Sequence, residues 1–225
     1  MSTPNGYRYF HGVSMLFVAT LIIGNTLAVK IIQFGNFTLP AGIICFPIAY
    51  IVNDCLTEVY GYEKTRSVIW WGFFCLALMS LFYYCATLLT PAPFWKEQVA
   101  FGKLFGFAPR IAFASFIAFL IGSFLNSYVL SIMKIKTKGK YLWTRTIGST
   151  IVGESADSII FNFIAFIGVF GFSDLVKIAF SGFVLKTLYE IVMTPLTYFF
   201  VGWLKRKEQE NKFDIEADYN PFKYK

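Results

Sequence analysis

The chain has 225 residues, of which 56% are hydrophobic and only 15% charged, with Phe at 27 positions. A soluble domain carries roughly 25% charged residues to stay solvated, so this composition excludes a water-soluble fold and indicates an integral membrane protein. The net charge of +7 would suit nucleic acid, but its distribution along the chain points to lipid headgroups instead.

A helix needs about 20 mostly apolar residues to cross the hydrocarbon. Six such runs are present, at 11–32, 39–60, 67–89, 110–133, 146–170 and 175–204. They do not alternate as barrel strands do. The expected fold class is therefore all-α integral membrane with six transmembrane helices. The expected division is an N-terminal cytoplasmic segment 1–10, a six-helix domain 11–204 and a cytoplasmic tail 205–225. No small-residue cleavage site follows the first run, so it is expected to be a retained helix. An internal repeat is not evident, which weakens an inverted-repeat architecture.

The first connections are short. Residues 90–109 form the one long connection, and its Pro91-Ala92-Pro93 stops the third helix. Its Phe94, Trp95, Phe101, Phe105 and Phe107 suit an interfacial segment, either a lid over an entrance or a simple anchor. The tail loses apolar periodicity and reads as a mobile end. Cys45, Cys55, Cys75 and Cys85 all fall inside apolar runs, where free thiols act as small packing residues. With six helices, one side of the membrane would carry fourteen of the twenty cations. The positive-inside rule makes that side, with both termini, cytoplasmic. Anionic headgroups account for the basic clusters without a nucleic-acid partner.

Ionisable residues inside apolar runs are costly and persist where they face a protein interior or a watered cavity. The second run ends on Asn53-Asp54-Cys55-Leu56-Thr57-Glu58-Val59-Tyr60-Gly61-Tyr62, the fifth carries Glu154 and Asp157, and the sixth carries Lys186 and Glu190. At helical spacing Tyr50, Asp54 and Glu58 share a face, as do Glu154, Asp157 and Phe161 with Asn162 at the margin, and Lys186 with Glu190. Depth along the runs brings these stripes to a similar level, with Arg145 near the cytoplasmic mouth and Asn126 on the fourth helix. The layer sets five carboxylates against one Lys186. Either some carboxylates hold protons or a cation enters. Both options fit a transporter, and such a cavity suits a flat, donor-rich heterocycle met bidentately by a carboxylate. Structural alternatives exist for each group. Lys186 could pair with Glu190, Asp54 and Glu58 could cap a helix end, Arg145 could be an ordinary flank, and Asn25 and Asn126 could hold helices together. Pro47 and Pro195 read as kinks within helices.

Three stretches resemble a known family. Asn53 through Tyr62 followed by Glu63-Lys64 is similar to the signature of the bacterial queuosine precursor transporters, also called the VUT or YhhQ family. Leu142-Trp143-Thr144-Arg145 through Ser149, with Gly153-Glu154-Ser155-Ala156-Asp157-Ser158 and Phe161, resembles that family's fifth helix. Lys186-Thr187-Leu188-Tyr189-Glu190 with Pro195-Leu196-Thr197-Tyr198 resembles its sixth, and Glu154 departs from the amide expected there in the fifth. The resemblance implies six helices arranged like the substrate-binding components of energy-coupling-factor transporters. It also implies import across the bacterial inner membrane of 7-cyano-7-deazaguanine, its aminomethyl counterpart or queuine, for synthesis of a modified tRNA base. On that reading one or more of Asp54, Glu58, Asp157 and Glu190 hold the guanine-like edge or the amine. Lys186 or Arg145 polarises the O6 carbonyl, and Tyr50 or Phe161 stacks on the ring.

No cofactor is implied. A proton or an ion is the expected coupling species, and whether the chain self-associates stays open. The alternative is a binding component for another vitamin-like heterocycle that needs an ATP-driven partner, since no Walker-type loop occurs here. An intramembrane enzyme is disfavoured, because the lone His11 lies at the membrane edge and no Gly-x-Ser-x-Gly or His-Glu-x-x-His motif is present.

Overall fold

The computed structural model describes residues 7–28, 30–34, 37–106, 109–168, 171–214, 220 and 222. Helix α1 (Phe10–Leu27) leads into an antiparallel hairpin, β1 (Ile31–Phe34) and β2 (Phe37–Pro40), with Ile31 opposite Pro40 and Phe34 opposite Phe37. A 3-10 turn (Ala41–Cys45), α2 (Phe46–Cys55) and a π-helical turn (Leu56–Tyr60) follow. The remaining elements are α3 (Tyr62–Leu88), the short α4 (Gln98–Phe105), α5 (Pro109–Lys136), α6 (Leu142–Phe166) and α7 (Phe172–Glu208).

This corrects the expectation of an all-α fold with six transmembrane helices. Among the described residues four segments are long and apolar enough to cross a membrane: Phe10–Leu27, Ala41–Tyr60, Tyr62–Leu88 and Phe113–Lys136. Helices α6 and α7 have 25 and 37 residues but are not among them. The Thr, Ser, Gly and charged residues that make α6 interesting also lower its apolarity. The first two apolar runs are not simple helices either. Helix α1 stops at Leu27 and a β-hairpin is inserted. The second run changes from 3-10 to α to π geometry, with Pro47 in the first turn of α2, where proline fits because its N–H is not needed. Pro195 does lie inside α7. The six-helix bundle, and the likeness to energy-coupling-factor components that went with it, is withdrawn.

The core centres on the end of α2 and on α3. Leu56, Val59, Ile69 and Phe73 are fully or almost fully buried, together with Phe17 of α1. Aromatic edges interlock there, with Phe73 and Phe116 centroids 4.8 Å apart. Helix α5 crosses α6 where Gly122 meets Gly153. A Cβ on Gly153 would fall 2.8 Å from the Gly122 carbonyl oxygen. Small residues allow such backbone approach in membrane helices. The crossing sets Asn126 of α5 against Gly153 and Gly122 against Asp157. Helix α4 packs at the end of α3, with Tyr83 and Phe105 centroids 4.6 Å apart, and buries none of its residues. Phe107 lies outside the described residues.

The tail, expected to be mobile, is docked at several of its described residues. Glu208 accepts from the Tyr60 hydroxyl at 2.8 Å and from the Tyr9 amide at 2.6 Å. The Lys212 amide donates to Val59 O at 3.2 Å. Asp214 is buried and its Oδ2 accepts from the Tyr62 amide at 3.0 Å and from Ser131 Oγ at 2.5 Å. Gly61, at φ +88°, lets the tail come this close, because a Cβ there would lie 2.7 Å from Asp214 Oδ1. The Arg66 guanidinium donates to Asn220 O at 2.6 Å.

Candidate functional site

Facing stripes on α2, α6 and α7 build a polar column through the bundle. Phe46, Tyr50, Asp54 and Glu58 recur every fourth residue along α2 and its π turn, so they stack on one face. Gly182, Lys186 and Glu190 do the same on α7, with Lys205 on the same helix nearer its end. The column divides into three levels with different charge balance.

At the level nearest the tail, Glu58 is wholly buried. Its Oε1 pairs with Lys205 at 2.6 Å and Lys134 at 3.7 Å, and its Oε2 with Arg145 Nη1. Arg145 also donates to the carbonyl oxygens of Lys140 and Gly139. One carboxylate is thus saturated by three cations, and the Glu58 backbone carbonyl oxygen takes a further bond from Lys134 at 2.5 Å.

In the middle, Asn126 Nδ2 donates to Asp54 Oδ1 at 3.3 Å. The Glu190 carboxyl of α7 is a neighbour of Asp54 across the packed α2–α7 pair. Both acids and Asn126 are buried.

At the third level Lys186 holds Asp157 at 2.5 Å and Glu154 at 2.8 Å. The simple pairing of Lys186 with Glu190 is not what forms. Its ammonium also stands 4.1 Å from the Phe46 ring centroid, a cation–π contact. Phe46 stacks on Tyr50 at 5.7 Å and 15°, and the Tyr50 phenol lies beside Glu154.

This third level opens into a cavity of about 280 Å³, close to the lower end of the roughly 300–1,000 Å³ range for small-molecule pockets. Its wall includes Asn25, Phe46, Asp157, Phe161, Asn162 and Lys186. Asn162 gives its amide hydrogen to Ser158 O at 2.8 Å, and its Oδ1 has no partner. The cavity combines an acid, a cation, an open acceptor and three phenylalanine rings, Phe46, Phe119 and Phe161. A small planar ligand with its own donors matches that set.

Of the ten residues singled out in the sequence, Asp157, Phe161, Asn162 and Lys186 line the cavity. Tyr50 and Glu154 support it from beneath, and Asp54 and Glu190 form the middle level. Glu58 and Arg145 belong to the ion cluster at the tail and do not line the cavity. Sequence reasoning missed Phe46, although it sits one turn before Tyr50 on the same stripe. It also assigned Asn25 to helix packing, and this residue lines the cavity while bonding back to Leu21 O at 2.9 Å. No residue of 90–106 reaches the cavity wall.

Residues 40–200 match the model of the family described as "Putative vitamin uptake transporter". The chain is 30% identical over 178 residues to a "Probable queuosine precursor transporter" of Bacillus subtilis (strain 168), covering 79% of this chain and 78% of that one. It is 24% identical over 219 residues to the "Queuosine precursor transporter" of Escherichia coli (strain K12), covering 96% of each. A third relative, from Haemophilus influenzae, is 30% identical over 127 residues, covering 56% of this chain and 51% of its own. No solved structure matches the chain. Matched over most of its length by the family model and by a relative at 30% identity, this membrane protein belongs to the queuosine precursor transporter family, a family of transporters and not of enzymes.

Proposed function

We propose that the chain imports queuosine precursors across the bacterial inner membrane, binding a 7-deazaguanine base in the cavity at Asp157 and Lys186. The observation that carries this reading is the part-buried Lys186–Asp157 pair at 2.5 Å on the wall of a cavity sized for a bicyclic ring. The N1–H and 2-amino group of the base form a two-donor edge that one carboxylate accepts, and Asp157 supplies it. Lys186 donates to O6, and the open Asn162 Oδ1 accepts from a remaining N–H. We assign the stacking to Phe161 of the wall, a contact worth roughly 1–3 kcal/mol per base.

The 7-cyano and 7-aminomethyl bases and queuine share the guanine-like edge and differ in the group at position 7. The excess of carboxylates over Lys186 at this level favours the aminomethyl form, whose ammonium supplies a further cation. The Tyr9 amide bonds Glu208, which supports both ends of the chain lying on one side of the membrane, and Lys205, Arg206 and Lys207 in the last turn of α7 support that side being cytoplasmic. The test is uptake in cells that neither make nor import the precursors. Expression of this chain should restore queuosine in tRNA when 7-cyano-7-deazaguanine is supplied outside, and D157N should sharply reduce the restoration at limiting base. No restoration by well-expressed wild-type protein with any of the three bases would rule the reading out.

A further inference from the structure

Beneath the cavity, Asp54, Asn126 and Glu190 form a constellation that binding of the base does not use. Asp54 and Asn126 are each 0% exposed and Glu190 is 5% exposed. Helices α2 and α7 pack against one another and bring the two carboxyl groups together as interacting neighbours, and when ionised each offers acceptors only. Asn126 gives Asp54 Oδ1 its one amide bond, while Asp54 Oδ2, Glu190 Oε1 and Asn126 Oδ1 have no partner. The titratable groups facing the pair are Tyr50, Cys55 and Glu58 from α2 and its π turn, and Glu154 from α6. None of these is a cation. Helix α5 contributes the neutral Asn126, and on α7 Lys186 directs its ammonium to Asp157 and Glu154.

Two anionic acceptors held this close in a low-dielectric interior repel unless a donor lies between them. Glu58 is no source of one, being held by its own three cations. Among the described residues no group of three or more His, Cys, Asp or Glu is arranged to hold a metal ion. A single proton satisfies the geometry, because it converts the contact to O–H···O⁻, the short charge-assisted type.

We propose that the Asp54–Glu190 pair binds one exchangeable proton and that this proton is co-transported with the base. The proposal rests on the transport reading above and adds its coupling ligand. One proton is taken up by the pair on the side from which the base enters and is released on the other. Bound, it ties α2 to α7. Released, it leaves two facing carboxylates that push those helices apart, and the same two helices carry Phe46 and Lys186 at the cavity.

Two measurements test it. Infrared spectra of the purified protein at neutral pH should show the deuterium-sensitive C=O stretch of a protonated carboxyl, lost in both D54N and E190Q. In proteoliposomes with the membrane potential clamped at zero, one pH unit should drive about tenfold accumulation of 7-cyano-7-deazaguanine by the wild type. E190Q should show no accumulation. The proposal is overturned if the wild type lacks the band, if both variants keep it, or if accumulation follows sodium and ignores pH. Should the purified wild type bind none of the three bases, the transport reading fails by itself, and the infrared band alone decides whether the pair holds a proton.

Discussion

The tail-side ion cluster and the cavity-side cluster use the same residue types and do opposite things. Around Glu58, one carboxylate meets Lys134, Arg145 and Lys205, and the docked tail covers the π turn that carries it. At the cavity, Asp157 and Glu154 share one Lys186, and Asn162 Oδ1 is left open. The first arrangement is complete, with its carboxylate fully buried. The second has acceptors to spare and a space beside them. A buried charge is therefore not a site by itself; what matters is whether its partners already satisfy it.

The sharpest way to break the comparison is at Glu58. E58A leaves three buried or half-buried cations without their anion, and breaking a buried pair from one side costs about 3–5 kcal/mol. Thermal unfolding in detergent should show a large loss of stability, the largest expected from any single substitution here. D157N should instead leave the unfolding temperature of the ligand-free protein nearly unchanged and weaken base binding by roughly ten- to a hundredfold, as loss of a charged hydrogen bond of about 1.5–3 kcal/mol implies. If the two variants behaved alike, the contrast between a locked and an open cluster would be lost.

A smaller effect is expected where the tail docks. G61A places a Cβ 2.7 Å from Asp214 Oδ1 at a φ of +88°. Backbone there is essentially reserved for glycine and costs other residues on the order of 1–3 kcal/mol. Limited proteolysis should then cut the tail faster while base binding persists. The smallest effect concerns Tyr7, whose hydroxyl donates to Glu210 at 3.2 Å. Burial, reinforced by the Glu210 charge, raises its phenol above the ordinary 10.0. A raised phenol contributes stability that is present below that value and lost as pH rises through the folded one. Y7F should flatten this alkaline loss in a pH series of unfolding temperatures.

Much of the site was legible because intramembrane charge is costly. Asp54, Glu154, Asp157, Lys186 and Glu190 stood out against apolar runs, and helical periodicity put them on facing stripes that do meet. Glu58 and Arg145 stood out equally and went to a different cluster, because sequence shows which residues are charged but not how many partners each finds. Lys134 and Lys205 were read as flank, yet they reach inward to Glu58 on long side chains. The fold was less legible. Hydropathy marks apolar stretches without saying where one bends, so the β-hairpin after α1 and the 3-10, α and π changes before Gly61 were hidden. The tail was misread because its anchors are polar: Glu208 and Asp214 look like solvated charges until Tyr60, Tyr62 and Ser131 are seen to bond them.

The most direct test of the central claim, that the Asp157–Lys186 cavity binds a 7-deazaguanine base, is thermal stabilisation of the purified protein by the three precursor bases, with guanine and riboflavin as controls. Ligand at a hundred times its dissociation constant adds about 2.7 kcal/mol to apparent stability. A clear upward shift is expected with at least one precursor, little with riboflavin, and a shift reduced to roughly 0.4–1.4 kcal/mol in D157N. A folded wild-type protein that none of the precursors stabilises, or a D157N variant that they stabilise equally, would contradict it.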